Sequence, residues 1–93
     1  MGLLSNEEIN SALVSLDGWV YLDNQISKSV SFDTYLNGIE FVNSLAKIAE
    51  EMNHHPDLKV GWCQVEVLFT SHDLGGVTTQ CIEMAKMVDS IIY

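Results

Sequence analysis

Three histidines are the residues of this chain best suited to chemistry, and they occur at only two places in the sequence. His54 and His55 adjoin Pro56 at the end of a helical pattern, and His72 follows an alternating apolar run typical of a strand. Proline cannot continue a helix, so the histidine pair should lie at its carboxyl end. If the strand returns past that end, three imidazoles meet around one pocket. Because histidine gains or loses a proton near neutral pH, with a pKa of about 6.5, this grouping indicates proton transfer.

The composition is that of one small acidic domain spanning residues 1–93. Thirteen acidic residues against four basic ones give a formal net charge of −9, which disfavours contact with nucleic acid or an anionic membrane surface. The sequence contains no apolar run of membrane-spanning length and no signal-peptide pattern at residues 1–6, so we expect a cytoplasmic protein. Cys63 and Cys81 are expected to be free thiols, since their number and spacing suggest neither a disulfide framework nor a zinc site.

The amino-terminal third of the chain predicts a helix followed by a hairpin. A capping-box pattern at residues 5–8 opens a helix over residues 6–16. Strands over residues 19–22 and 26–32 then flank a short turn. Lys28 interrupts the apolar side of the second strand, which suggests that this strand lies at a sheet edge.

The longest helix is predicted over residues 34–53, with Asp33 as its cap. Gly38 lies on the buried face of this helix and allows close packing against a sheet. Apolar residues at three- and four-residue steps form the predicted buried stripe: Tyr35, Ile39, Val42, Leu45, Ala46, Ala49 and Met52.

A second hairpin and a final helix complete the pattern. The hairpin strands are built on Leu58–Trp62 and Val65–Phe69, with a turn within residues 61–64. Thr78 caps a last helix over residues 79–92. Because both hairpins are short, we expect a single α+β domain in the order α-β-β-α-β-β-α. It would contain a four-stranded antiparallel sheet with three helices packed on one face.

These positions resemble the signature of the pterin-4a-carbinolamine dehydratases. Glu50, His54-His55-Pro56, Trp62 and His72 stand at the spacing of that family. The likeness covers nearly the whole chain, and it continues at five other segments: Gly18-Trp19, Phe32-Asp33, Phe41, Thr70-Ser71-His72 and Gly76-Val77-Thr78. A third histidine at a fixed distance from the pair makes the signature far more specific than a histidine pair alone.

The resemblance implies that a 4a-hydroxytetrahydropterin loses its hydroxyl as water, giving quinonoid dihydropterin during tetrahydrobiopterin recycling. The pterin is the substrate, and no metal or cofactor is implied. Hydroxide leaves poorly unless it is protonated, and the neighbouring ring nitrogen must lose a proton. Imidazoles can assist both steps, each by about 10²–10⁴-fold. The family also implies a homodimer or homotetramer, and exposed sheet edges favour such pairing.

The same resemblance assigns roles to the candidate site residues. His54 and His72 would form the acid/base pair, and His55 would hold the substrate and share in proton transfer. Further positions that match the lining of the family's pterin pocket are Asn53, Thr70, Ser71 and Asp73. Taken singly, each histidine has an ordinary alternative, either as a cap on helix carbonyls or as a strand-end residue.

Four other residues have open roles. Glu50 precedes His54 by one helical turn, so its charge could orient that imidazole and raise its pKa, although an exposed helix carboxylate is the alternative. Trp19 and Trp62 could flank a pterin ring or lie in the core. Cys81 stands where the family signature ends with an aspartate. We interpret it as a helix-cap position that supports structure and not catalysis, where aspartate would add roughly 0.5–1 kcal/mol of stability.

A different use of the fold remains open at this point. Proteins of this fold are also known as dimerisation cofactors of a transcription factor, or as assembly and regulatory proteins. Such a non-catalytic role would use an exposed helix face or sheet edge and would not need three histidines.

Overall fold

Seven elements follow one another in the predicted order in residues 2–92, the part of the chain that the structure, a computed structural model, describes. The helices are α1 (Asn6–Leu13), α2 (Tyr35–Met52) and α3 (Thr79–Ile91). The strands are β1 (Val20–Leu22), β2 (Gln25–Ser31), β3 (Asp57–Gly61) and β4 (Gln64–Phe69). Met1 and Tyr93, which belong to the predicted domain of residues 1–93, lie outside the described residues.

The four strands form one antiparallel sheet in the order β1-β2-β4-β3. Alternation decides which side chains face the helices, because successive residues of a strand point to opposite faces. Ile26, Val65 and Val67 are fully buried on the helix side, whereas Ser29 and Ser31 are exposed on the other face. The predicted α+β architecture, with three helices against one face of an antiparallel sheet, is therefore confirmed.

Strand β2 is an inner strand, so the edge position predicted from Lys28 is wrong. Lys28 lies on the helix side of the sheet, where its Nζ donates hydrogen bonds to the carbonyl oxygen of Asp17 at 2.8 Å and to Oδ1 of Asp89 at 3.0 Å. Trp19 Nε1 donates to the same Asp89 oxygen at 3.0 Å. An interior strand accommodates the lysine because its charged end has these partners.

Helix α1 opens as predicted and ends earlier than predicted. The amide of Glu8 donates to Ser5 Oγ at 3.1 Å, and Glu8 Oε1 accepts from the amide of Ser5 at 2.8 Å, so both halves of the capping box are present. The helix stops at Leu13 and not at residue 16. Ser15 donates its hydroxyl to the carbonyl of Ala12 at 3.1 Å, a local bond of the kind that competes with helix geometry.

Helix α2 begins at Tyr35, one residue after its cap. Thr34 is that cap, since its Oγ1 accepts from the amide of Asn37 at 3.0 Å, and the predicted cap on Asp33 is wrong. The buried face differs from the predicted stripe and consists of Gly38, Phe41, Leu45 and Ala49. Tyr35 and Met52, at the two ends of the predicted stripe, are exposed.

Gly38 brings α2 close to the sheet, as predicted. A Cβ atom at this position would lie 3.4 Å from Cδ2 of Phe32 and 3.6 Å from Cγ2 of Val65. Phe32 also packs against Phe41, with the ring centroids 5.2 Å apart. Phe41 therefore faces inward, three residues after Gly38 and four before Leu45, although the predicted stripe did not include it.

The second hairpin turns at Trp62 and Cys63, so Trp62 lies in the turn and not in the predicted strand. Cys63 adopts the left-handed conformation with φ 58°, which a tight turn requires here. Thr78 occupies the N-cap position of α3, as predicted, but its side chain makes no capping hydrogen bond, and the helix ends at Ile91. Within residues 2–92, none of the helices combines the length and apolar character needed to cross a membrane.

Candidate active site

Asn53, at the end of α2, adopts the left-handed backbone conformation and so determines the position of the histidine pair that follows it. Asn53 has φ 51° and ψ 43°, a conformation that asparagine tolerates better than most residues. Its amide donates to the carbonyls of Ala49 and Glu50, and the amide of His54 donates to the carbonyl of Ala49 at 3.1 Å. These bonds end the helix and turn the chain, so that His54 and His55 lie between α2 and β3.

The antiparallel register then brings the third histidine back to this place. Asp57, at the start of β3, lies opposite Leu68 near the end of β4. The segment after β4 therefore passes the segment before β3, which carries the histidine pair. The structure thus brings together the three predicted imidazoles, and His55 and His72 both act electrostatically on His54.

The loop that carries His72 is held by its own hydrogen bonds. The amide of Ser71 donates to the carbonyl of Gly76 at 2.7 Å, and Ser71 Oγ accepts from the amide of Leu74 at 3.2 Å. Thr70 donates its hydroxyl to the carbonyl of Asn24 at 2.7 Å, which ties this loop to the turn of the first hairpin. The predicted pocket residues Thr70 and Ser71 are therefore used to shape the loop, and Asp73 is exposed within it.

His54 is the most enclosed of the three histidines. Its ring stacks on Phe69, with the centroids 5.9 Å apart and the planes 17° apart. Its Nε2 lies 3.3 Å from Sγ of Cys81. Burial lowers the pKa of His54 below its ordinary value of 6.5, and the imidazoles of His55 and His72 lower this pKa further. The ring therefore favours its neutral form.

Glu50 pairs with a different histidine from the one predicted. Its Oε2 contacts Nε2 of His55, and both side chains are more than half exposed. Of the two roles left open for Glu50, the exposed helix carboxylate therefore describes it correctly. The other role, orienting His54 and raising its pKa, is wrong, because Glu50 contacts His55 and the pKa of His54 is lowered. The spacing along α2 misled this prediction, since His54 already lies beyond the helix end and the turn at Asn53 redirects both imidazoles.

His72 has a carboxylate partner that the sequence did not indicate. Its Nε2 lies 3.9 Å from Oδ2 of Asp57, and each of the two side chains is 67% exposed. Asp57 directly follows the histidine pair and Pro56 in the sequence. Only the register of β3 against β4, with Asp57 opposite Leu68, indicates that it comes near His72.

Cys81 lies in the site and not only at a helix cap. Its side chain is fully buried, and the hydroxyl of Thr78 donates to its Sγ at 3.7 Å. Thr78 makes no side-chain bond to the backbone of α3, so the expected capping geometry is absent from this helix start. The contact between Cys81 and His54 makes a purely structural interpretation incomplete, and an aspartate here would lie against the imidazole. Cys63 and Cys81 are both free thiols in the described part of the chain.

Neither tryptophan flanks the histidines. Trp19 is in the core, where its ring lies 6.0 Å from that of Phe69 and its Nε1 is bonded to Asp89. Trp62 is 83% exposed at the turn of the second hairpin. Of the two alternatives left open for the tryptophans, burial in the core therefore holds for Trp19 and not for Trp62. Trp19 supports the site indirectly, through the phenylalanine on which His54 stacks.

A largely apolar cavity of about 300 Å³ opens beside His55. It lies between α2 and β3, and its lining consists of Leu45, Ala46, Ala49, Glu50, His55, Pro56 and Leu58. Among residues 2–92, no group of three or more histidine, cysteine, aspartate or glutamate side chains is arranged to hold a metal ion. What the arrangement offers is one enclosed neutral imidazole and two exposed imidazoles beside carboxylates.

Two relatives match nearly the whole chain in sequence. A protein of Mycolicibacterium smegmatis is 37% identical over 92 residues, covering 99% of this chain and 98% of its own length. One from Thermosynechococcus vestitus is 38% identical over 88 residues, covering 95% of this chain and 93% of its own length. Both relatives are provisionally named pterin-4-alpha-carbinolamine dehydratases.

Solved structures agree as well. A crystal structure described as a transcriptional coactivator/pterin dehydratase from Brucella melitensis superposes with a TM-score of 0.95 at 32% identity, covering 99% of this chain and 100% of the other. A pterin dehydratase-like protein described as a RuBisCO assembly factor in the alpha-carboxysome superposes with a TM-score of 0.64 at 22% identity. It covers 77% of this chain and 83% of its own, and it shows the shared fold alone. The family model described as pterin 4 alpha carbinolamine dehydratase matches residues 2–91, and the chain therefore belongs to that family.

Proposed function

We propose that this protein dehydrates 4a-hydroxytetrahydropterin to quinonoid dihydropterin and water by histidine acid/base catalysis. The observation that carries the proposal is the convergence of three imidazoles with unlike surroundings. His54 is enclosed and favours its neutral form, whereas His72 is exposed beside the carboxylate of Asp57. Unlike environments are what divide acid and base roles between groups of one type.

The reaction moves one proton to the substrate and one away from it. The bond between carbon 4a and its hydroxyl oxygen breaks, and the oxygen receives a proton and leaves as water. The neighbouring nitrogen N5 loses its proton and forms a double bond to carbon 4a. No electrons are exchanged with another molecule, so the step needs no redox cofactor. Each positioned proton-transfer group contributes about 10²–10⁴-fold to such a reaction.

His54 is assigned as the base that takes the N5 proton. A base must be neutral before it acts, and the lowered pKa of His54 keeps it neutral at pH 7. The stack on Phe69 holds the plane of the ring, so that its reactive edge has a defined direction. Preorganisation of this kind avoids reorientation during the reaction.

His72 is assigned as the acid that protonates the leaving hydroxyl. A protonated imidazole beside Asp57 has a counter-charge 3.9 Å away, and its exposure allows it to recover a proton from solvent. The hydrogen bonds of Ser71 and Thr70 keep the loop that carries His72 in place. Both assignments keep the pair of catalytic residues expected from the sequence.

His55 and Glu50 are assigned to substrate binding. They contact each other at the edge of the apolar cavity next to β3, where they would hold the polar rim of a pterin above an apolar floor. Asn53, Thr70, Ser71 and Asp73 would add contacts from the two loops, in part through backbone groups. We further propose that the reaction serves tetrahydrobiopterin recycling in the cytoplasm, in a homodimer or homotetramer.

Stopped-flow assay of 4a-hydroxytetrahydropterin dehydration with the purified protein tests this proposal. We expect a rate well above the spontaneous one, in proportion to protein concentration. A protein that is folded by circular dichroism but leaves the spontaneous rate unchanged would refute it.

A second candidate is a non-catalytic role as a dimerisation, regulatory or assembly protein. The description of the Brucella melitensis protein as a transcriptional coactivator supports this alternative. So do three exposed apolar side chains at one end of the molecule: Tyr35, Leu36 and Trp62. The bond from the amide of Phe32 to the carbonyl of Cys63 joins the hairpin turn to the segment before α2, and so places Trp62 at the same end as Tyr35 and Leu36.

Replacement of Leu36 and Trp62 by serine tests this second candidate. If this surface binds a partner protein, the double variant should lose that binding and keep its rate of dehydration.

A further inference from the structure

The thiol of Cys81 is a buried polar group that the proposed acid/base chemistry does not use. It has no exposed surface, and its sulfur lies between two other polar groups. Thr78 Oγ1 is 3.7 Å from Sγ on one side, and Nε2 of His54 is 3.3 Å from it on the other. Both distances are within hydrogen-bonding range for sulfur. The thiol therefore connects the start of α3 to the imidazole at the end of α2.

The other contacts of His54 leave one choice open. Its amide bond to Ala49 fixes the backbone, and the stack on Phe69 fixes the plane of the ring. Neither contact distinguishes the two ring orientations that are related by a 180° rotation about the Cβ–Cγ bond, because this rotation leaves the ring plane unchanged. A polar partner on one ring nitrogen does distinguish them, because the half-turn would replace that nitrogen by a carbon.

A neutral imidazole also has one donor nitrogen and one acceptor nitrogen. The hydrogen bond made by one of them decides which nitrogen carries the proton. Because Nε2 is held against a fully buried sulfur, Nδ1 is the nitrogen that remains for a substrate. Thr78 restricts the thiol in turn, since its hydroxyl bonds to the sulfur and not to the helix backbone.

We infer that Cys81 is a positioning residue that holds Nε2 of His54, and so presents Nδ1 as the nitrogen that exchanges the substrate proton. The inference rests on the proposed function, since it deepens the role of His54 in that reaction. Cys81 itself neither touches the substrate nor changes its covalent state. The residue acts by selecting one ring orientation and one tautomer of His54.

Kinetics of three variants of the full chain test this role. Cys81→Ala removes the partner of Nε2, Cys81→Ser keeps a smaller one, and Cys63→Ser removes the other thiol at the hairpin turn as a matched control. We expect Cys81→Ala to lower kcat by up to about 10²-fold, the cost of a misplaced catalytic group, with KM close to the wild-type value. Cys81→Ser should recover part of kcat, and Cys63→Ser should match the wild type.

The contrary kinetic results are equally definite. A folded Cys81→Ala protein with wild-type kcat would overturn the inference. So would a Cys81→Ser protein no more active than Cys81→Ala, because a residue that only fills space would gain nothing from the hydroxyl. Urea denaturation of all three variants separates these outcomes from a loss of folded protein.

A spectroscopic measurement on the wild type keeps the inference testable even if Cys81→Ala fails to fold. Correlation of the ring ¹⁵N nuclei with the ring protons reports which nitrogen of His54 carries the proton. At a pH where the ring is neutral, we expect the proton on Nε2 in the wild type and in Cys81→Ser, because Nδ1 must be unprotonated to accept the substrate proton. A mixture of tautomers, or a proton on Nδ1, in the wild type would overturn the inference even in an active enzyme. A single tautomer in a protein without dehydratase activity would refute the proposed function and leave the positioning role standing.

Discussion

The imidazole of His72 faces the carboxylate of Asp57, with Nε2 3.9 Å from Oδ2. The two residues are brought together because β3 and β4 are antiparallel, with Asp57 opposite Leu68. A carboxylate at this distance is a counter-charge for a protonated imidazole, and solvent screens it because both side chains are exposed. The pairing of the second hairpin thereby builds half of the candidate site.

Replacing Asp57 by asparagine tests this pair. We expect Asp57→Asn to lower kcat by about tenfold, less than the 10²–10⁴-fold assigned to an acid group itself, because the imidazole remains but loses its counter-charge. Raising the salt concentration should reduce the difference in kcat between the wild type and Asp57→Asn, since both side chains are exposed and salt screens their charges. Asp33→Asn, which neutralises a carboxylate at the opposite end of α2 from the histidines, is the control and should keep wild-type kinetics. Equal rates in all three proteins would contradict the role of Asp57.

The histidine pair is tested by its double variant. Replacing His54 and His72 together by alanine should bring dehydration close to the spontaneous rate, because both proton-transfer groups are lost. Circular dichroism should show an intact fold, since neither side chain belongs to the buried core. His55→Ala is the comparison, and it should raise KM more than it lowers kcat. A folded double variant with wild-type turnover would remove the basis for the acid/base assignment.

The lowered pKa of His54 predicts a pH dependence of both rate and stability. Below about pH 6.5 the unfolded chain takes up a proton at this residue before the folded protein does. The contribution of His54 to stability is therefore complete above pH 6.5 and is lost as pH falls from there towards the folded-state pKa. The acid limb of kcat/KM should likewise lie below pH 6.5, because the base stays neutral to lower pH.

The measurement is urea denaturation across pH 4.5–7.5, compared between the wild type and His54→Gln. The titratable groups around the ring are His55 on its own segment, His72 on the loop before α3 and Cys81 on α3, with Glu50 and Asp57 paired to the two other histidines. These groups are present in both proteins, so the difference between the two curves reports the loss of His54. If the free energy of unfolding changes with pH in the same way in both proteins over this range, the lowered pKa of His54 is contradicted.

The order of elements followed from the sequence because each one carries a complete local signal. Ser5 and Glu8 mark the start of α1, and alternating apolar residues mark β2 and β4. The errors fall where a local signal competes with a contact elsewhere in the chain. Lys28 indicated an edge strand, but β2 is an inner strand. The charge of Lys28 is accommodated there by hydrogen bonds to two distant residues, Asp17 and Asp89.

The sequence indicated which residues belong to the candidate site, but not which of them contact each other. The spacing of His54, His55 and His72 indicated a cluster, and the register of β3 against β4 brings them together. Their partners depend on side-chain directions after the turn at Asn53, so the spacing did not indicate that Glu50 pairs with His55 and not with His54. The contact of Cys81 with His54 depends on the packing of α3 against the end of α2, for which the sequence holds no local signal.

The sheet has two free edges in the part of the chain described here, and they predict self-association. The outer strands are β1, with three residues, and β3, with five. Unpaired strand edges invite pairing with another copy, and the longer edge on β3 is the better candidate. We expect a dimer or tetramer by sedimentation at micromolar concentration. A single species near the chain mass of 10.4 kDa would contradict this expectation.

The last prediction concerns Asp89, which joins the sheet to α3 away from the histidines. Its Oδ1 accepts hydrogen bonds from Trp19 Nε1 and from Lys28 Nζ, each at 3.0 Å. Asp89→Ala would leave a largely buried indole N–H without a partner, and would leave the ammonium group with only the carbonyl of Asp17. We expect a loss of about 1–3 kcal/mol in the free energy of unfolding, the usual cost of unsatisfied buried donors.

Urea denaturation of Asp89→Ala and Asp89→Asn measures this loss. Asparagine keeps an acceptor oxygen for Trp19 but gives up the charge that balances Lys28, so its loss of stability should be intermediate between alanine and wild type. Glu83→Ala is the control, since this glutamate lies on the exposed face of α3 in a pair with Lys86 and should change stability little. Because Asp89 lies away from the histidines, the variants that remain folded should keep their kcat. An Asp89→Ala protein as stable as the wild type would show that the shared oxygen contributes nothing to holding α3 on the sheet.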